Sequence, residues 1–152
     1  MSIYNTPLEE RFGEKLEELR EGKNMTREQL ADQVGLTARH IAALERGERR
    51  PTLNTMEKLL RTQFPDLASK YVRQFALLFL DLQKKCDSAE ISTKALDLRG
   101  MLDALRLIRR GIPAGAALDM GITNKAFDSY EQSLIRDVIA ARIPAKLDAA
   151  KL

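Results

Sequence analysis

Twenty residues, Arg27 to Arg46, constrain this chain more than any other part of it: REQLADQVGLTARHIAALER. Leu30, Ala31 and Val34 are spaced to share one face of a first helix, and Ile41 and Leu44 one face of a second. Between them Gly35 supplies the residue type that enters the left-handed turn conformation without steric cost, and Leu36 restores an apolar contact directly after it. Ala31 is small enough to let two helices cross closely. Thr26 can accept a hydrogen bond from an orphan amide of the first helix, and Gln29 three residues later completes a capping box; Thr37 is placed to cap the second helix. The pattern predicts two short helices joined by a tight turn.

The flanking sequence extends this unit on both sides. Leu8, Phe12, Leu16 and Leu19 predict a helix ending near Gly22, and Thr52 or Asn54 can cap another that buries Met56, Leu59 and Leu60. Four helices then fill residues 8 to about 63. Pro65 and Asp66 punctuate the chain before a longer helix, from Leu67 to about Lys85, whose segment FALLFLDL is apolar nearly all round and must be covered by the rest of the chain or by a second copy. Cys86 to Ile91 reads as a loop. Ser92 or Thr93 can cap a helix running to Arg109 or Arg110, Pro113 opens a short one stopped by Gly121, and Asp128 with Glu131 caps a last one carrying Leu134, Ile135, Val138 and Ile139. The chain beyond Pro144 reads as frayed. The expected fold is all-α, divided into residues 1–64, 65–146 and a tail at 147–152.

Composition agrees and removes several function classes. Aromatic residues are only 5% of the 152, with no Trp, so intrinsic preference favours helix over strand. One cysteine, Cys86, excludes an intrachain disulfide, and with one histidine, His40, it cannot supply a closed Cys/His zinc site and offers no credible nucleophile–base pair. No enzyme activity and no cofactor are expected, and a reducing, cytoplasmic setting fits the cysteine usage. A secretory start and an 18-residue apolar run are both missing, which argues against secretion and against a membrane span. The net charge of +3 permits a polyanionic partner, and position matters more than the total. Gly35 to Arg61 holds six basic residues (Arg39, Arg46, Arg49, Arg50, Lys58, Arg61) against three acidic ones (Glu45, Glu48, Glu57), whereas the first helix carries Glu9, Glu10, Glu14, Glu17, Glu18 and Glu21 and is best turned away from phosphate.

From about Phe12 to Thr62 the chain resembles the Cro and phage-repressor-like helix-turn-helix family, the XRE type. The likeness is carried by the motif above and by ERGERRP, Glu45 to Pro51, behind its second helix. The resemblance implies a lambda-repressor-like fold that binds double-stranded DNA as a transcriptional regulator, commonly as a homodimer on a two-fold operator, with the helix Thr37–Arg46 in the major groove. Carried onto these residues, it places Ala38, Arg39, His40, Ala42 and Ala43 toward base edges. Arg39 is the strong reader, able to pair bidentately with guanine, and Ala38 or Ala43 can touch a thymine methyl. Thr26, Arg27, Thr37, Arg46, Arg49 and Arg50 are the phosphate candidates. Where the family often has glutamine, Arg27 offers a charged phosphate contact instead.

Residues 75–143 resemble the small helical lid at the end of MoxR/CbbQ-type AAA ATPases. Ser92-Thr93 is followed by Lys94 where that family has arginine, and the chain lacks a G-x-x-x-x-G-K-[ST] phosphate loop: Glu17 stands at its first glycine and Asn24 at its hydroxyl. The resemblance implies a packing or docking module. The alternative to a DNA-binding regulator is thus an antitoxin-like or ATPase-associated adaptor whose C-terminal helices dock a protein partner.

Overall fold

The computed structural model describes residues 7–149. Among them the regular elements are helices: α1 (Leu8–Gly22), α2 (Arg27–Val34), α3 (Ala38–Glu45), α4 (Leu53–Gln63), α5 (Ser69–Asp87), α6 (Leu98–Arg109), α7 (Ala114–Gly121) and α8 (Ser129–Ala140). The caps are local and follow from residue type. Thr26 Oγ1 accepts from the Gln29 amide while Gln29 Oε1 accepts from the Thr26 amide, so both halves of the capping box form. Thr37 and Thr52 accept from the amides of His40 and Thr55, and Asp128 from that of Glu131. Gly35 closes α2 in the left-handed region at φ +81°, and its amide and that of Leu36 both donate to the Ala31 carbonyl.

α4 packs on α5 and α1 on α6, so the buried apolar side chains form one continuous core from Leu8 to Leu147. Phe12 of α1 meets Phe79 of α5 edge-to-face at 6.0 Å between ring centroids. The apolar segment of α5 is covered within the chain: Phe75, Ala76, Leu78, Phe79 and Leu82 are fully buried. Of the two expected ways of covering the segment, the rest of the chain supplies the cover for these five, while Leu77 and Leu80 stay partly exposed.

Two segments differ from the sequence reading. The helix expected from Ser92 to Arg109 is broken: Ser92 caps a single 3-10 turn, Thr93–Ala95, the chain then extends, and Asp97 starts α6 by accepting from the Gly100 amide at 2.6 Å. Asp97 is held there by Lys125 at 3.3 Å and Arg11 at 3.6 Å, partners that lie far off in sequence. The chain beyond Pro144 is also ordered as far as Leu147, which is buried and whose carbonyl accepts from the Ala114 amide, while the Ala145 carbonyl accepts from Gly115. These bonds satisfy orphan amides at the start of α7, where Pro113 cannot cap with a side chain. Of the expected tail, residues 150–152 lie outside the described residues.

Candidate nucleic-acid interface

α3 is held from below by two devices. α1 crosses it at Gly13, where an added Cβ would stand 2.4 Å from the Leu44 carbonyl oxygen and 2.6 Å from that of Glu45. Only a residue without a side chain allows this approach. The second device is Glu45, whose side chain is fully buried and receives Arg20 Nε at 2.7 Å, Arg20 Nη2 at 3.1 Å and Arg27 Nε at 3.0 Å. Arg20 also donates to the Met25 carbonyl at 2.9 Å. One buried carboxylate thereby ties α3 to α1 and to the start of α2, and its charge is neutralised by two cations. The sequence reading counted Glu45 as part of the local acidic charge; its partners stand 25 and 18 residues away and give no local signal.

With Ile41 and Leu44 fully buried, the other side of α3 faces outward. Arg39, His40, Ala42, Ala43 and Arg46 line a surface recess of about 480 Å³ together with Thr37, Glu48 and Arg49. Ala38, named with them from sequence, lies outside that lining and packs in part against the core. Among the described residues Arg39, Arg46 and Arg49 make no ion pair, so the recess presents three uncommitted guanidinium groups. Lys58 of α4 extends the same sign of charge, with Nζ donating to the Gly35 carbonyl at 2.9 Å in the turn below α3. Burial, and then the nearby charges of Arg49 and Lys58, hold the His40 imidazole below its ordinary value of 6.5, which favours the neutral ring.

The remaining phosphate candidates are placed differently. Thr26 and Thr37 serve as helix caps at exposed positions. Arg27 is engaged by Glu45, and Arg50 lies between two carboxylates, Glu9 of α1 and Asp87 at the end of α5, the latter at 2.7 Å. Arg50 holds the Asp87 carboxyl below its ordinary value of 3.8 and is itself raised above the usual arginine value by the pair. Both arginines are thus positioning residues in the free protein. Arg50 ties the loop behind α3 to α1 and α5.

Compared with known families, residues 16–62 match the model of a helix-turn-helix family. Over these residues, about a third of the chain, it is similar to the helix-turn-helix family. That family consists of DNA-binding regulators rather than enzymes, and the match spans α2, the Gly35 turn and α3, the unit whose outward face carries the cationic recess. No curated protein and no solved structure matches the chain, and nothing in the comparisons supports the lid resemblance of residues 75–143. Among the described residues, no helix is long and apolar enough to cross a membrane.

Proposed function

We propose that the chain is a sequence-specific transcriptional regulator of double-stranded DNA, with α3 in the major groove. The observation that carries this reading is the coincidence of the helix-turn-helix match with a recess whose arginines, Arg39, Arg46 and Arg49, have no carboxylate partner among the described residues. A solvated guanidinium that exchanges water and counterions for phosphate gains affinity by ion release; one already paired must first break that pair. In this reading Arg39 and His40 meet base edges or the adjoining backbone, Ala42 and Ala43 leave room for a thymine methyl, and Ala38 stands at the margin. Arg46, Arg49, Thr26 and Thr37 contact phosphate, while Arg27 and Arg50 do so only by exchanging their carboxylate partners and contribute less.

A homodimer on a two-fold site belongs to the same reading. It rests on the few base-reading side chains of one copy, since two half-sites add their contacts through one tethered unit, and no longer on α5. The division at 64/65 is kept as a functional one, a reader followed by a helical bundle that dimerises it or docks a partner. A protein partner for the C-terminal helices is favoured by one feature: among the described residues, the exposed large apolar side chains, Met120, Phe127 and Tyr130, lie in that half. Selection of bound fragments from random duplex DNA tests the reading. A recovered half-site, repeated with two-fold symmetry, supports it; retention of random sequence with no enrichment contradicts it.

A further inference from the structure

His40 is the chain's single histidine, and it sits among cations. In the recess it shares a wall with Arg39 of α3 and with Arg46, Glu48 and Arg49 just beyond the end of that helix; from α4, Lys58 approaches across the Gly35 turn. Glu57, next to Lys58, is turned to Arg61 at 3.2 Å and Arg73 at 3.8 Å and does not offset this field. Burial is the first of the influences that disfavour charge on the imidazole, followed by the positive charges of Arg49 and Lys58; Glu48 is the one carboxylate among the residues lining the recess. A free site of this kind disfavours a further positive charge. Duplex DNA reverses the sign: it brings a row of phosphates to the same cations, and their repulsion of an imidazolium is replaced by attraction to the backbone between them.

We propose that His40 is a proton-linked DNA contact, neutral in the free protein and charged in the complex, so that duplex binding at α3 takes up a proton. As an imidazolium His40 offers two N–H donors, to a phosphate oxygen or to a base acceptor, where the neutral ring offers one. The inference rests on the proposed reading of DNA by α3. Its sign follows from linkage: a group whose pKa is higher in the complex than in the free protein strengthens binding below its free value, and the gain is lost as pH rises through the value in the complex. Each unit of upward shift corresponds to tenfold in affinity at the acid end.

The test uses the full chain and a duplex recovered by the selection above, at fixed salt, with affinity measured from pH 8 to pH 5.5 for wild type and for His40→Gln. Wild type is expected to bind about tenfold more tightly at pH 5.5 than at pH 8, and His40→Gln to bind with little change across the range. Because the chain has one histidine, its ring resonance can be titrated in the free and bound protein without assignment, and the midpoint is expected to move up on binding. A midpoint that stays or falls on binding, or a pH dependence that survives in His40→Gln, overturns the proton linkage while leaving DNA binding intact. Failure of wild type to bind any duplex even at pH 5.5 overturns the linkage together with the reading it rests on.

Discussion

Replacing Glu45 by alanine removes the acceptor that holds α3 against α1 and α2. Three donors lose their partner: Arg20 Nε, Arg20 Nη2 and Arg27 Nε, at 2.7, 3.1 and 3.0 Å. Arg27 is about one-third exposed and can turn to water, but the Arg20 side chain is only 13% exposed and keeps one strong bond, to the Met25 carbonyl, with a looser ion pair to Glu21 at 3.9 Å. Breaking a buried ion pair from one side costs about 3–5 kcal/mol, and the remaining bond and partial hydration of Arg20 place Glu45→Ala near the lower end, about 3 kcal/mol. For a chain of this size that corresponds to a melting temperature lower by about 6–12 °C, read by thermal and urea unfolding followed by circular dichroism. Arg27→Ala should cost under about 1 kcal/mol, as an exposed pair does. Arg20→Met combined with Glu45→Leu should recover most of the loss, because neither charge is then left alone. A Glu45→Ala cost below about 1 kcal/mol, or a double variant as unstable as the sum of its singles, would refute the assignment of Glu45 as the buried anchor of α3.

Three further outcomes follow from named contacts. Arg49→Ala should lower the slope of log affinity against log salt by about one, whereas Arg50→Ala, whose guanidinium is occupied by Glu9 and Asp87, should leave it nearly unchanged; equal effects would mean that the two arginines are equivalent. Gly100→Ala sets a Cβ 2.2 Å from the Gly121 carbonyl oxygen, so α6 and α7 must separate, and a loss of about 1–3 kcal/mol is expected in urea unfolding. Burial, and then the neighbouring Asp87, push the Cys86 thiol up to about 12, so labelling by a thiol reagent at pH 8 should be slow in the folded protein and rapid once it is denatured. Fast labelling of the folded chain would contradict that environment.

The helix-turn-helix was legible because each of its signals is local. Thr26, Gln29, Gly35 and Thr37 act within four residues of themselves, so their types and spacing are sufficient to place α2, the turn and the start of α3. What escaped depends on partners distant in the chain. Glu45 is neutralised by Arg20, Arg50 is drawn away by Glu9 and Asp87, and Leu147 returns to α7; none of these pairings has a periodic signature. The break before α6 was partly readable. Leu98, Met101, Leu102, Leu105 and Ile108 begin their three- and four-residue spacing only after Asp97, a better cap than Ser92 for that stripe. The close crossing of α6 and α7 at Gly100 and Gly121 had the weaker signal of two glycines in apolar helices.

In the proposed function Arg39 reads a base while its neighbours read charge. The direct measurement is the affinity of wild type and Arg39→Ala for the selected duplex and for each of its single-pair variants, at one salt concentration. Loss of Arg39 is expected to flatten discrimination at one G·C pair in each half-site, by about 1–3 kcal/mol, and to leave the preferences at other pairs in place. The same loss on every duplex, with the pattern of preference untouched, would contradict it.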